Sequence, residues 1–308
     1  MESRTPPPVK TETLADVRPP LDVNRLSLKS ATDRPARVRG RTTVWIAAGW
    51  LALITLLAIV ADLLPIAGYR ELVGRPREKA FRSWSEPFGT DALGRSELSR
   101  AIYGARVSLV VGVAAVALGM LVGSTLGLLA GYFRGKLDAL LGVVTDAFLA
   151  FPALVLLLAI AATMGASLRN LVVALAILTT PAFVRLARAN TMVFASREFI
   201  RAARGLGAGH RRIILRELLP NVALPVASYA FVLIAVVLVA EGSLSFLGLG
   251  VPPPRPSWGE MISTGRNDLD RAPHVVFVPA AFMFLTVWSF NVLGDHARRR
   301  FDTRESML

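Results

Sequence analysis

The chain has 308 residues, 53% of them hydrophobic, with no cysteine and a formal net charge of +13. Its apolar residues gather in blocks of about 20, the length at which a helix rising 1.5 Å per residue crosses a hydrocarbon layer of about 30 Å. Such blocks exclude an ordinary soluble enzyme, a disulfide-stapled secreted domain and a disordered chain. The fold class expected is an all-α integral membrane protein, and the positive charge is that of basic loops retained on one side of a membrane rather than of a nucleic-acid binder.

Residues 1–43 are rich in proline, arginine and acidic side chains and read as a disordered cytoplasmic tail. The first apolar run, 44–64, is too long for a signal-peptide core and reads as a retained first span, with Asp62 meeting the interface at its end. A polar external segment, 65–105, follows. Further spans are expected at 107–130, at 137–164 with Pro152 inside it, at 171–184, at 222–247 and at 273–293. Six crossings put both ends on one side. With the ends inside, the inner segments hold 23 basic residues and the outer ones 11, which favours both termini in the cytoplasm. Residues 106–304 form the main membrane domain and 305–308 a short C-terminal tail.

Within the second span, Gly119, Gly123, Gly127 and Gly131 recur at every fourth residue. That register lines one helical ridge and lets two backbones approach closely, the packing that lipid cannot drive by hydrophobicity. Carboxylates in or near spans carry a cost of roughly 2.5 to 3.5 kcal/mol at mid-bilayer and so face protein or water. Asp146 is either a structural ion-pair partner or a group on the pathway. Glu241, close to Ser243 and Ser245 near the outer end of the fifth span, is either a pathway or gate residue or a packing residue.

No catalytic constellation is visible. There is no HExxH and no GxSxG, Gly131–Lys136 has the wrong spacing for a phosphate loop, and His210, His274 and His296 lie in three separate segments. No cofactor or metal is expected on this chain.

The basic stretch before the fifth span is more telling. Residues 198–221 read as a short helix beginning at Glu198, with Arg201, Ala202 and Ala203, a glycine break from Gly205 through Gly207 and Ala208 to Gly209, and a second helix with Arg212 that stops at Leu219-Pro220. Too basic to enter lipid, it suits docking on a soluble partner. The segment closely resembles the EAA loop of ABC-importer permeases, with Arg201 at the position of the motif's glutamate. Phe88-Gly89-Thr90-Asp91, Leu93-Gly94-Arg95, Phe151-Pro152, the run from Glu241 to Met261 with Pro256-Ser257-Trp258-Gly259, and Leu293-Gly294-Asp295 resemble the C-type permease of the peptide and nickel branch. The resemblance covers about residues 84 to 304.

It implies the type I importer-permease architecture in a bacterial cytoplasmic membrane and transport by alternating access. It also implies a second, B-type permease subunit, two ABC ATPase subunits that use ATP and Mg, and an extracytoplasmic solute-binding protein. The 198–221 loop would be the coupling element that sits in a cleft of the ATPase. The cargo implied is a di- or oligopeptide, with nickel, haem or another small solute as the alternative on the same scaffold.

Overall fold

The computed structural model describes residues 40–82 and 84–305. Of the expected 1–43 tail, residues 1–39 lie outside the described residues, as do 306–308 of the C-terminal tail. The described chain is helical apart from turns and two isolated β-bridges. Helix α1 spans Arg41–Val60 and runs on through one 3₁₀ turn, Ala61–Leu63. It lies against the last helix, where Trp50 Nε1 donates to Thr286 Oγ1 at 3.0 Å.

Helix α2, Glu97–Phe133, begins ten residues before the expected second span. At 1.5 Å per residue its length is about 55 Å, so both ends project beyond a hydrocarbon layer of about 30 Å. Helix α3, Gly135–Ala150, and helix α4, Ala153–Met164, occupy the region expected as one straight third span. They meet at 96°. The bend has a local cause: proline has no N–H and pushes the residue before it out of the α region, and Phe151 sits at φ −78°, ψ 140°. Among the described residues five helices are long and apolar enough to cross a membrane, and counting the bent pair as one span makes six.

Helix α5, Leu168–Ala195, outruns the expected 171–184 span at its inner end. Arg185 and Arg188, which read as loop residues, continue the helix because α3 supplies their counter-charges. Arg185 Nη2 donates to Asp146 Oδ1 at 2.6 Å, and Arg188 donates to both oxygens of Asp138, through Nη2 at 2.8 Å and through Nε. Helix α6, Glu198–Gly205, is short.

Helix α7 runs unbroken as His210–Phe246, which corrects the expected stop at Pro220. The reason is a π-helical stretch, Ile213–Leu218, just ahead of it. There the Leu219 N–H reaches back five residues to the Ile214 carbonyl. The wider turn delivers Pro220 to the first turn of the α-helical part, Leu219–Phe246, where a proline is tolerated. Helix α8, Trp258–Gly265, and helix α9, His274–Glu305, complete the fold.

Helices α2 and α5 make the most extensive contact in the molecule. The four-residue glycine ridge carries it. A Cβ at Gly119 would meet the Ala176 carbonyl at 3.0 Å and the Thr179 side chain, one at Gly123 the Thr180 carbonyl at 2.6 Å, one at Gly127 the Val184 carbonyl, and one at Gly131 the Arg188 carbonyl at 2.8 Å. Each successive glycine therefore meets α5 about one turn further along, and a methyl group at these points would part the two backbones. Helix α2 also buries Ala115, Leu128 and Ala130 in the common core. Leu121, Val143 and Phe284 stay exposed, as lipid-facing side chains do.

Candidate functional site: an outer clasp and an inner lever

Two polar constellations stand out, one at each end of the helix bundle. The outer one joins sequence stretches that lie about 150 residues apart. Trp258 is fully buried; its indole N–H donates to the Ala101 carbonyl at 2.9 Å and its backbone N–H to Ser108 Oγ at 3.1 Å. Beside it Arg100, also buried, donates from Nη2 to Glu260 Oε2 at 2.9 Å and lies 3.6 Å from Asp91. Asp91 in turn takes Arg95 Nε at 2.6 Å and the backbone N–H groups of Leu93 and Arg95. Burial pushes the Glu260 carboxyl above its ordinary range, and the Arg100 guanidinium opposes that shift. Arg77 Nε donates to Asp268 Oδ1 at 2.7 Å, and His274 Nε2 lies 3.1 Å from the Thr90 carbonyl.

The Phe88–Asp91 and Pro256–Gly259 stretches, separate in sequence, thus form one interlocked cap. Glu241 belongs to it. Its side chain is fully buried, so no solvent-filled path reaches it in this conformation. Ser257 Oγ donates to Glu241 Oε1 at 2.7 Å and at the same time accepts the Glu260 N–H at 3.1 Å, capping α8. Ser245 Oγ donates to the same carboxylate oxygen at 3.0 Å. Gly242 and Gly259 are close enough that a Cβ on Gly259 would lie 2.7 Å from the Gly242 Cα, so α7 and α8 touch backbone to backbone here.

Of the four pathway or gate candidates, then, Glu241 ties α7 to the start of α8 through Ser257, Ser245 supports the same carboxylate from one turn along α7, and Asp146 is an exposed ion-pair partner of Arg185. Ser243 lines an open cavity, of about 350 Å³, together with Phe246, Leu247, Ile262 and Met283. Asp62, expected at the interface, pairs with Arg106 at 2.9 Å on the wall of a cavity of about 460 Å³ that Tyr69, Tyr103 and Arg255 also line.

The inner constellation is built on α6. Its periodic pattern is strongly amphipathic, yet only Ile200 is buried; Glu198, Phe199, Arg201, Ala202, Arg204 and Gly205 are exposed and Ala203 is half-buried. The chain turns at Leu206, 89% exposed, and at Gly207, whose φ of +81° is one that a side chain rarely adopts. Ala208 closes the turn, its N–H donating to the Ala203 carbonyl at 3.0 Å. Helix α7 begins at His210 with Arg211 and Arg212 exposed, buries Ile213 and Leu218, and presents Leu219 and Pro220 at the surface.

Tyr132, at the end of α2, meets both sides of this turn, which sequence reasoning did not single out. Its hydroxyl lies 2.7 Å from His210 Nδ1, and the Arg204 guanidinium stands over its ring, 5.6 Å from the centroid. The available signal was the aromatic pair Tyr132-Phe133 just ahead of a basic turn, which could not name its partners. Among the described residues no group of three or more His, Asp or Glu side chains is placed to hold a metal ion.

A bundle of five apolar helices and a sixth bent at a proline, carrying a protruding basic elbow, is the architecture of a multi-span membrane protein. Residues 123–306 match the family described as the binding-protein-dependent transport system inner membrane component, and the chain belongs to that family of ABC-importer permeases. The chain is 43% identical over 216 residues to a glutathione transport system permease protein, GsiD, of Pectobacterium atrosepticum, covering 70% of this chain and 72% of the relative. It is 43% identical over 217 residues to the protein of the same name from Escherichia coli O157:H7, with the same coverage. These relatives put it in the peptide and nickel branch that its motifs resemble. Among solved structures, two crystal forms of the inward-facing methionine ABC transporter MetNI align with TM-scores of 0.55 and 0.56 at 18% identity. They cover 66% of this chain and 96% and 97% of theirs, a likeness of fold.

Proposed function

We propose that this chain is one permease subunit of an ATP-driven importer that moves di- or oligopeptides, or a peptide-like solute, inward by alternating access. The observation that carries the reading is α6, an amphipathic helix of basic character that leaves all but one of its side chains partly or fully exposed at the inner end of a membrane bundle. A helix so placed suits a cleft on a soluble partner better than lipid or water. Glutathione, in the relatives' printed name, is itself a tripeptide, which supports a peptide-like cargo.

In this assembly a second, B-type permease subunit completes the pathway and an extracytoplasmic solute-binding protein delivers the solute. Two ABC ATPase subunits bind ATP and Mg, and this chain binds no cofactor. The 198–221 segment is the coupling loop: Glu198, Arg201, Ala202, Ala203, Ala208 and Arg212 face the ATPase, Gly205 and Gly207 allow the turn, and Leu219-Pro220 leads back into the span. Closure of nucleotide-loaded ATPases displaces α6, and the bundle follows because the two conformations interact differently with the closed motor. Ser243, at an open cavity, is the pathway residue of choice, while Glu241, Ser245 and Asp146 hold helices in place.

The test is a cysteine at Leu206 in the assembled transporter. It should crosslink to an ATPase subunit, and peptide uptake into vesicles should require ATP inside the ATPase compartment. Gly207→Val, which forces a β-branched residue to positive φ, should cut uptake far more than ATP hydrolysis. No crosslink to an ATPase from Leu206 would overturn the coupling role.

A further inference from the structure

We propose that Tyr132 is the positioning residue through which displacement of the coupling helix reaches the membrane bundle; this rests on the coupling reading of α6. The covalent route between α6 and the span that follows is a short glycine turn with few side chains packed against it. It passes through Leu206, Gly207 and Gly209, where a Cβ on either glycine would find nothing within 4 Å. Gly207 adds a positive φ, and backbone bonds from Leu206, Gly207 and Ala208 to Ala202, Arg204 and Ala203 close the turn. Side-chain contacts from this link to the bundle therefore have to come from the residues on either side of it.

The non-covalent route runs through one buried side chain. The Tyr132 ring is buried, and three groups close on it: Arg204 from the last turn of α6, His210 from the first turn of α7, and Phe133, stacked edge-on with centroids 5.0 Å apart. His210 also packs edge-on to the Tyr132 ring, at 5.6 Å between centroids. The hydroxyl and the π face thus tie both sides of the turn to one side chain. Besides this ring, the only buried anchor of α6 is Ile200.

What lies behind Tyr132 makes the tie consequential. The residue before it, Gly131, is the last of the glycine ridge, pressed against Thr191 and the Arg188 carbonyl of α5. Arg188 in turn holds Asp138 of α3. Close-packed backbones cannot slide independently without opening a void or a clash, so α2 moves with α5 and, through the ion pair, with the start of α3. Tyr132 is therefore where the lever meets a rigid block of three helices, and Arg204, His210 and Tyr132 act as one joint.

The experiment uses the complete transporter, permease pair with ATPases, reconstituted in vesicles with the binding protein outside, and reads ATP hydrolysed per peptide taken up. Tyr132→Phe keeps the ring under Arg204 and removes the bond to His210; the ratio should rise about threefold, the scale of one net hydrogen bond. Tyr132→Leu removes the cation–π face as well and should raise it about tenfold. His210→Ala removes the same bond together with the edge-on ring contact, so it should raise the ratio at least as far as Tyr132→Phe, and the two together should be no worse than His210→Ala alone. Throughout, the cysteine at Leu206 should still crosslink to the ATPase. A wild-type ratio in Tyr132→Phe and Tyr132→Leu with the crosslink intact overturns the joint while leaving the coupling role of α6 standing. Additive effects of Tyr132→Phe and His210→Ala would also overturn it. A missing crosslink in the otherwise unaltered protein overturns the coupling reading and the joint with it.

Discussion

The outer clasp and the inner lever are both polar assemblies on the same helices, and they are built to opposite rules. At the outer end Arg100, Glu260, Glu241, Ser257 and Trp258 are all buried, and their bonds join α2, α7 and α8 across long stretches of chain. At the inner end the charges stay wet: Arg185 and Asp146 are more than half exposed, and α6 is anchored by one isoleucine and one tyrosine ring. A buried ion pair is held by the cost of stranding either partner without water, whereas an exposed one can open and be re-solvated. The difference teaches which end of this permease is fixed and which is free to be moved.

The comparison breaks most visibly at Arg100. Arg100→Gln strands the Glu260 carboxylate in a buried site, while Asp91 keeps Arg95, and should cost about 3 to 5 kcal/mol of stability. Arg185→Gln removes an exposed pair and should cost less than about 0.5 kcal/mol. Thermal unfolding of the detergent-solubilised protein measures both, and equal losses would erase the distinction between the two ends.

Between the two ends runs the glycine ridge, which sharpens the contrast by predicting opposite signs for one chemical change. Gly127→Ala places a methyl group against the Val184 carbonyl and 2.9 Å from the Ala187 Cβ, and should destabilise by about 2 kcal/mol. Gly142→Ala on α3, where a Cβ meets nothing within 4 Å, should stabilise by about 0.5 to 1 kcal/mol through helix propensity. The same melting experiment distinguishes them.

A smaller effect probes the clasp from within. Ser257→Ala removes both the cap of α8 and one donor to Glu241, and should cost about 1 to 2 kcal/mol. Because this residue is far from the lever, the ATP-to-uptake ratio should stay at the wild-type value while the melting temperature falls.

Periodicity and composition were enough for much of this molecule. Apolar runs of bilayer length report spans because every backbone group inside lipid must find its partner within its own helix. The four-residue glycine register reports a close helix contact for an equally local reason. The elbow at 198–221 is legible because glycines and arginines cannot be mistaken for a lipid-crossing run. Arg185 and Arg188 were misleading for the opposite reason: their place in a helix depends on Asp146 and Asp138, which reach them from another element. The same holds for Pro220, whose helix-breaking character is offset by a π turn that no residue pattern announces.

What the amino-acid sequence by itself determined is the membrane class, the spans and the family motifs, all of which rest on near neighbours along the chain. Only the tertiary structure decided that Glu241 is a buried fastener, that the Phe88–Asp91 and Pro256–Gly259 stretches are one cap, and that Tyr132 holds both sides of the elbow. Those facts depend on which side chains meet across separations of 16 to 160 residues. A one-dimensional pattern specifies which face of a helix is apolar, but the partner it packs against is chosen by the simultaneous fit of all the helices.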